Sequence, residues 1–186
     1  MGHHRWPPLV TKRLVFAVAS DGSREIRYNN GMLSNYQLQP ATAVHQPAIK
    51  ALIRAVRINP MGIDWRRFVV ALDASGELIG CGQLKQHWDG SWELASIAIA
   101  PGWRGQGIAQ AIILRLLADG PRPVWLTCVD TLIPFYEPFG FDNVTEIQTM
   151  PPYFRLIYRL FQLVSRFGSF FARERPLDQL AVMQRT

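Results

Sequence analysis

The sequence predicts an α/β (α+β) domain built on one central, mostly antiparallel mixed sheet flanked by helices. Three observations support this prediction. Short apolar runs alternate with Asp-Gly and Ser-Gly turns through the middle of the chain, which is typical of an antiparallel meander. A glycine-rich loop then joins an apolar run directly to a helical pattern, as in a βαβ unit. Finally, 186 residues with 48% apolar and 18% charged side chains can bury a sizeable core and exclude a disordered or fibrous chain.

Residues 1–34 are predicted to be an appendage to the main domain, which we expect over residues 35–186. Within the appendage, Leu14–Ala19 and Arg24–Tyr28 are expected to pair as a hairpin. Asp21-Gly22 between them suits a turn that requires positive φ. The apolar stretch here is only six residues long, shorter than the ~7–15 residues of an export leader. We therefore expect no export leader in this segment.

The main domain is predicted to alternate strands and helices whose ends carry turn or breaker residues. Pro47 suits the first turn of a helix, and Asn59-Pro60-Met61-Gly62 ends it. Asp73–Gly76 and Trp88–Ser91 suit hairpin turns. The predicted elements are, in order, a strand at Tyr36–Gln39, a helix at Pro47–Ile58, strands at Arg67–Leu72, Leu78–Leu84 and Trp92–Ala100, a helix from Gln106 to Ala118, a strand at Val124–Val129, a short helix around Leu132–Glu137 and a strand from Phe141.

Charge, hydropathy and cysteine content narrow the classes of partner. The net charge of +6 suits an anionic ligand, but the arginines are spread along the chain without the clustered, aromatic-rich face of a nucleic-acid binder. No apolar run approaches the ~20 residues of a membrane span. Cys81 and Cys128 lie in apolar segments without histidine or cysteine at ligand spacing. We therefore expect no nucleic acid, no metal, and a reduced, cytoplasmic setting.

The most informative stretch is the loop that follows Ile97–Ala100, because it holds three glycines in six residues. The first amides of the helix after this loop lack intrahelical partners, and the helix dipole adds partial positive charge there. Since glycines let a ligand approach the backbone closely, the loop is suited to hold a pyrophosphate. A tight turn alone would also explain Gly105 and Gly107. The loop is neither Gly-x-Gly-x-x-Gly nor a Walker loop, which disfavours dinucleotides and ATP.

Two motifs in this order carry a family resemblance. They are Arg104-Gly105-Gln106-Gly107-Ile108-Ala109 and Phe135-Tyr136-Glu137-Pro138-Phe139-Gly140-Phe141. They are similar to the Arg/Gln-x-x-Gly-x-Gly/Ala signature and the Phe-Tyr-x-x-x-Gly-Phe element of the GNAT family of N-acetyltransferases. The resemblance covers about residues 35–149, and Leu180–Arg185 resembles the closing strand. It implies the GNAT fold, with the sheet splayed between the fourth and fifth core strands. It also implies transfer of an acetyl group from acetyl-CoA to a primary amine by direct attack in a ternary complex, without a metal.

The resemblance also implies which residues bind the cofactor. The loop amides would hold the pyrophosphate of acetyl-CoA, and the main chain of Ile97 and Ile99 would pair with its pantetheine arm. Their side chains and Ala98 are equally well explained as core. Asp130 is at or next to the place of a cofactor-contacting asparagine, where a carboxylate is less favourable near an anion. The implied cofactor-binding residues are Ile97, Ala98, Ile99, Arg104, Gly105, Gln106, Gly107, Ile108, Ala109 and Asp130.

Tyr136 and Glu93 are the catalytic candidates that the resemblance implies. Tyr136 matches the tyrosine that reprotonates the departing CoA thiolate, a task that suits a phenol. Glu93 begins the strand before the loop, where several relatives place a general base that acts directly or through water. The alternatives are aromatic packing for Tyr136 and simple solvation for Glu93. His45 and His87 are alternative bases.

An insertion at residues 147–177 is predicted to be helical. In the helix Tyr153–Phe167, Arg155, Arg159 and Arg166 recur on one narrow polar stripe, and most other positions are large and apolar. This wide apolar arc predicts burial against the domain or a second copy of the chain, beside the acceptor site. Two other interpretations stay open, namely a membrane surface that binds residues 153–171 and an apolar lid. Two other functions also stay open: a CoA-binding sensor or scaffold without turnover, and a peripheral membrane or assembly module.

Overall fold

The computed structural model describes the backbone at residues 13–18, 24–29, 35–118, 120–168 and 179–186, and side chains at residues 35–118, 120–163 and 179–186. The strands β1 (Arg13–Val18) and β2 (Arg24–Asn29) form an antiparallel hairpin. The other strands form one seven-stranded sheet. They are β3 (Tyr36–Pro40), β4 (Phe68–Asp73), β5 (Leu78–Gln86), β6 (Trp92–Ile99), β7 (Val124–Val129), β8 (Asp142–Asn143) and β9 (Leu180–Arg185). The helices are α1 (Gln46–Ala55), α2 (Ile108–Leu117), α3 (Ile133–Tyr136) and α4 (Pro152–Gly168).

The strand order in this sheet is β3-β4-β5-β6-β7-β9-β8. The pairs β3–β4, β4–β5, β7–β9 and β8–β9 are antiparallel, and β6–β7 is parallel. The parallel register links only Trp92 with Val124 and Glu93 with Trp125, although β6 continues to Ile99 and β7 to Val129. The mixed, mostly antiparallel sheet predicted from the sequence is therefore confirmed, with its parallel pair at the fourth and fifth core strands.

The chain divides into two compact units. The first comprises Met1–Gln83 and Ser96–Leu116, and the second comprises Leu84–Ala95 and Leu117–Thr186. In the first unit, Ile49 and Ile53 of α1 pack with Phe68, Val70 and Cys81 in a buried apolar cluster. Gly80 and Gly82, on the alternate positions of β5, lie instead against Ile108, Ile112 and Leu116 of α2. Since successive strand residues point to opposite faces, α1 and α2 pack on opposite faces of β5.

The core of the second unit is smaller and more aromatic. It comprises Trp125, Met150, Phe154 and Val182, all buried, with Val144, Tyr153 and Tyr158 packed against it. Phe154 belongs to α4, so the helix predicted for the insertion is attached to the sheet through its first turn. Among the described residues, no helix is long and apolar enough to cross a membrane.

Candidate active site

The loop between β6 and α2 has the conformation that its glycines allow. A short 3-10 turn at Pro101–Trp103 follows β6, and Gly105 and Gly107 then take φ angles of +75° and +78°. L-residues with a Cβ rarely adopt these angles, so glycine is strongly favoured at both positions. Helix α2 begins at Ile108 rather than at the predicted Gln106, because Gly107 turns the chain immediately before it.

The surface of this loop is open. A Cβ atom placed on Gly102, Gly105 or Gly107 would meet no other atom within 4 Å. Arg104 and Gln106 are exposed, and Ile108 is buried, which anchors the first turn of α2 in the core. The first helical hydrogen bond is donated by the Ala111 N–H to the Gly107 carbonyl at 3.0 Å. The amide N–H groups before Ala111 therefore have no intrahelical acceptor and are suited to bind an anion.

A backbone irregularity precedes the loop on β6. Ser96 has a φ of +57°, which is uncommon for a residue with a side chain and rare inside a strand. The Gln83 Nε2 atom donates to the Ser96 Oγ atom at 3.0 Å, whereas the buried Gln83 Oε1 atom has no partner within the described part of the chain. This feature could not be predicted from the sequence, because a serine carries no signal for the left-handed conformation.

The last residues of β6, just before the loop, pack on both faces of the sheet. Ala98 is buried with the α1 cluster, as its alternative interpretation predicted. Ile97 and Ile99 point to the opposite face, toward Gly82 and Gly80. Both side chains are partly buried and pack against β5.

Glu93 lies at the centre of a polar cluster in the second unit, which we call the Glu93 cluster and which comprises Lys85, His87, Glu93 and Thr127. The His87 Nε2 atom is 2.8 Å and the Lys85 Nζ atom 3.0 Å from the same carboxylate oxygen, Oε2. The Thr127 hydroxyl donates to Oε1 over 3.4 Å. The side chains of Glu93 and His87 are only 8% and 9% exposed. Glu93 is therefore a buried, ion-paired carboxylate rather than a solvated one.

The surroundings of Glu93 fix its charge. Burial by itself would raise the pKa of the carboxyl, but the hydrogen bond from His87 and the ammonium of Lys85 outweigh it. The net result is a pKa below the ordinary value of 4.5. Glu93 is thus ionised at neutral pH, and it holds its proton weakly.

Helix α4 contacts this cluster through its first turn. The Tyr153 ring stacks on the His87 ring, with 3.4 Å between their centroids, and the Phe154 ring meets His87 edge-on. The Tyr153 N–H donates to the Asp89 carboxylate at 2.7 Å, so Asp89 satisfies an amide that the helix itself leaves free. The start of α4 is therefore held on the β5–β6 turn.

Tyr136 lies at the end of α3, also in the second unit. Its ring meets Phe135 and Phe141 edge-on. Burial, followed by the neighbouring Cys128 thiol, raises the pKa of Tyr136 to about 12. Burial also raises the pKa of Cys128 to about 11. Both groups keep their protons at neutral pH, so Tyr136 can donate a proton, and Cys128 lacks the thiolate that a nucleophile needs.

The remaining candidates lie at exposed or structural positions. Asp130 is exposed at the end of β7, and its carboxylate accepts the Thr131 N–H at 2.8 Å. The His45 Nδ1 atom accepts the Thr42 N–H at 2.9 Å and closes the turn before α1. Within the described part of the chain, no three His, Cys, Asp or Glu side chains converge in a way that could hold a metal ion.

The orientation of α4 differs from the one predicted. Arg155 is half-buried, and its Nη2 atom donates to the Met150 carbonyl at 2.9 Å, so it does not lie on an exposed stripe. The exposed face instead carries Leu156, Leu160 and Leu163, which are 57%, 54% and 54% exposed. The physical reason is the burial of Phe154, which sets the rotation of the helix and turns part of the apolar arc outward. Arg166 lies outside the residues whose side chains are described.

Comparisons with known proteins place this architecture in a family. The sequence model of the acetyltransferase (GNAT) family matches residues 36–141. The chain is 35% identical over 79 residues to an amino-acid acetyltransferase of Mycobacterium tuberculosis, a match that covers 42% of this chain and 45% of that protein. The chain therefore spans less than half the length of this curated relative.

Solved structures with the same fold have low sequence identity to the chain. N-acetylglutamate synthase from Neisseria gonorrhoeae, complexed with coenzyme A and N-acetyl-glutamate, is 18% identical with a TM-score of 0.61, over 83% of this chain and 35% of that one. Rv2747 from Mycobacterium tuberculosis, in complex with CoA, is 22% identical with a TM-score of 0.58, over 81% of this chain and 98% of that one.

Proposed function

The chain belongs to the acetyltransferase (GNAT) family, and on that premise we propose that it transfers an acetyl group from acetyl-CoA to a primary amine. The observation that carries this proposal is the open loop Arg104–Ala109, in which two left-handed glycines lead into the N-terminus of α2. This loop lies inside the region that matches the family.

The proposed donor is acetyl-CoA, bound at its pyrophosphate by the loop amides. The open space over Gly105 and Gly107 supports this assignment, because a phosphate needs close access to backbone N–H groups. Coenzyme A is present in the Neisseria and Mycobacterium structures that share the fold. The exposed Arg104 is proposed as an additional phosphate contact. Ile97 and Ile99 are proposed to pair with the pantetheine arm through their main chains, and Asp130 to contact the cofactor.

The proposed acceptor class is the α-amino group of an amino acid. This choice is supported by the relatives, one an amino-acid acetyltransferase and one an N-acetylglutamate synthase. Peptide N-termini, lysine side chains, polyamines and arylamines are the competing acceptors.

In the proposed reaction, the neutral amine attacks the thioester carbonyl directly, and no acyl-enzyme forms. A backbone amide of β6 polarises the carbonyl oxygen. The Glu93 cluster removes the amine proton, directly or through an intervening group. Tyr136 protonates the departing CoA thiolate, a role supported by the raised pKa that keeps its phenol protonated.

An acceptor screen tests this function. Release of the free CoA thiol from acetyl-CoA would be measured with amino acids, peptides, polyamines and arylamines, beside calorimetric binding of acetyl-CoA. We expect the protein to bind acetyl-CoA and to release the thiol with some of the amines, above all with amino acids. Binding without release across the panel would favour a CoA-binding sensor or scaffold instead.

The exposed leucines of α4 favour an additional role for that helix as an interaction surface. Leu156, Leu160 and Leu163 form an apolar row on a helix that otherwise packs through Phe154. A second copy of the chain and a membrane surface are both compatible with this row. Size measurement in solution and flotation with liposomes distinguish the two. We also propose a cytoplasmic location, since Cys81 and Cys128 are both free and buried.

A further inference from the structure

His87 occupies a rigid position in the β5–β6 turn. Its N–H donates to the Ser91 carbonyl at 2.9 Å, and its carbonyl accepts the Gly90 N–H at 3.0 Å. Gly90, within this turn, has a φ of +83°, a conformation that favours glycine. The His87 ring is then fixed between Glu93, at 2.8 Å from Nε2, and the stacked ring of Tyr153. Both the backbone and the ring of His87 are therefore held in place, unlike those of a solvated surface histidine.

The contact with Glu93 determines which ring nitrogen carries the proton. An ionised carboxylate only accepts hydrogen bonds, so the Nε2 atom at 2.8 Å from the Glu93 Oε2 atom must be the donor. In the neutral ring the lone pair therefore lies on Nδ1. No atom within the described part of the chain accepts from or donates to Nδ1. His87 thus presents an available base, whose orientation is set by a carboxylate.

Glu93 itself is poorly suited to accept a proton. Its Oε2 atom already receives hydrogen bonds from Lys85 and His87, and Oε1 faces the Thr127 hydroxyl. These groups lower the pKa of the carboxyl, which makes Glu93 a weaker base than a free glutamate. Because Lys85 and His87 both occupy Oε2, Glu93 is placed to hold and orient the imidazole rather than to take a proton itself.

We propose that the Nδ1 atom of His87 accepts the proton of the attacking amine, with Glu93 as a positioning residue, an assignment that rests on the proposed acetyl transfer. The arrangement resembles the way a carboxylate orients a catalytic imidazole in hydrolases. The sequence supports His87 only as an alternative base, and the structure adds its contact with Glu93.

The amine nitrogen forms a bond to the thioester carbonyl carbon and loses one proton to Nδ1 of His87. The carbon–sulfur bond breaks, and the sulfur takes the phenolic proton of Tyr136. The imidazolium then releases its proton, and the phenolate regains one, through solvent. The products are an amide and free CoA, and both side chains return to their initial states.

Four titratable or charged groups surround His87, and each makes a specific contact with the ring or with one of its partners. Glu93 holds the Nε2 proton, and Lys85 shares that carboxylate. Tyr153 stacks on the ring, and Asp89 accepts the N–H of Tyr153. Asp89 is ionised, because its hydrogen bonds from Ser91 and Tyr153 outweigh the effect of burial and lower its pKa. Helix α4 therefore positions the proposed base, although it donates no proton itself.

Nitrogen-detected NMR of the full chain tests the assignment without any acceptor. The signals of His87, identified by their loss in His87→Gln, should show a neutral ring protonated on Nε2. In Glu93→Gln the preference for this tautomer should weaken, since a neutral amide replaces the carboxylate. A ring protonated on Nδ1, or doubly protonated from pH 6 to 9, would contradict the proposal.

Kinetics on an amine found by the acceptor screen provide the second test. His87→Gln should lower kcat by about 10²–10⁴-fold, the usual contribution of a general base, with little change in acetyl-CoA affinity. The same substitution should also remove the decrease of kcat at low pH (the acid-side fall) that we expect for the parent protein. Glu93→Gln should lower kcat less than His87→Gln does and should keep the acid-side fall, because the imidazole remains and loses only its orienting carboxylate. His45→Gln, in a histidine that closes a turn, is the matched control and should leave kcat unchanged.

The outcomes separate the two proposals. If Glu93→Gln abolishes the acid-side fall and His87→Gln preserves it, then Glu93 is the base and the assignment to His87 is wrong. If the parent protein binds acetyl-CoA and acetylates no amine in the panel, the proposed function itself is wrong. A destabilised His87→Gln variant does not spoil the comparison, because the tautomer is measured on the parent protein.

Discussion

Gly82 and Ile97 lie so close that a Cβ atom built on Gly82 would be 2.5 Å from the Cδ1 atom of Ile97. The same Cβ atom would be 2.8 Å from Cγ2 of Ile112 in α2. A glycine at this point of β5 therefore lets α2 lie directly against the strand. Because α2 begins at the glycine loop, this packing also positions the amides that are proposed to bind the pyrophosphate.

Substitution of Gly82 by alanine is expected to destabilise the protein. The added methyl group must displace Ile97 and the branched, stiff side chain of Ile112, and such overpacking costs about 1–3 kcal/mol. Thermal or denaturant unfolding measures this change. Gly102→Ala is the control, because a Cβ atom there meets nothing within 4 Å. Its unfolding free energy should stay within about 0.5 kcal/mol of the parent. Equal stability of the two variants would contradict the close packing of α2.

Gly107→Glu is expected to abolish binding of acetyl-CoA. The substitution places a carboxylate where the pyrophosphate is proposed to lie, and calorimetry measures the affinity. Gly62→Glu is a matched control for backbone strain, because Gly62 has a φ of +71° and equally open surroundings. Both variants should lose similar stability, of the order of 1–2 kcal/mol. Only Gly107→Glu should lose binding, and retained affinity in a folded Gly107→Glu variant would refute the proposed phosphate site.

Tyr136→Phe is expected to lower kcat more than it raises the KM for acetyl-CoA, since it removes the donated proton and keeps the ring. Tyr158→Phe, in a ring that packs against the buried cluster of the second unit, should leave both parameters near those of the parent. Steady-state kinetics distinguish these outcomes. An unchanged kcat in Tyr136→Phe, with chemistry shown to limit the rate, would leave Tyr136 a packing residue.

The raised pKa of Tyr136 also predicts a pH dependence of stability. A pKa of about 12 in the folded state, above the 10.0 of a free phenol, means that the folded protein retains this proton longer. The stabilising contribution is therefore complete below about pH 10 and decreases as the pH rises towards 12. The decrease in Tm over this range should be smaller in Tyr136→Phe than in the parent.

Arg155→Gln is expected to be more destabilising than Arg159→Gln. Arg155 donates to the Met150 carbonyl, and losing a partly buried hydrogen bond of a charged group costs about 1.5–3 kcal/mol. Arg159 is exposed, so its replacement should change stability by less than about 0.5 kcal/mol. Unfolding experiments on the two variants decide between this orientation of α4 and the one expected from the sequence, in which both arginines are equivalent.

Much of the fold could be predicted from the sequence because strong local signals agree with the final packing. The strand at Val124–Val129 lies where its run of apolar residues predicted it. The first helix ends earlier than predicted, at Ala55 instead of Ile58. The reason is Arg57, whose φ of +60° lets the Ile58 N–H return to the Ile53 carbonyl. Arginine gives no sequence signal for this C-terminal cap.

The sequence could predict the candidate site only at residues that belong to a recognisable motif. The glycine loop is recognisable from its sequence alone, whereas nothing in the sequence marks Lys85 as part of the site. The hairpin turn at Trp88–Ser91 could have predicted this contact, because pairing of the strands across it brings Lys85 opposite Glu93. The rotation of α4 was not encoded locally, since its apolar arc is too wide to say which part is buried. Packing of Phe154 against Trp125 makes that choice.

The most direct test is to quantify amide product and free CoA together, with saturating acetyl-CoA and the amine panel, for the parent and Gly107→Glu. We predict that the parent forms amide and free thiol in equal amounts with at least one amine, and that Gly107→Glu forms neither. Free thiol without amide would indicate hydrolysis, and bound acetyl-CoA without either product would indicate a sensor. Either of these two results would contradict acetyl transfer to an amine.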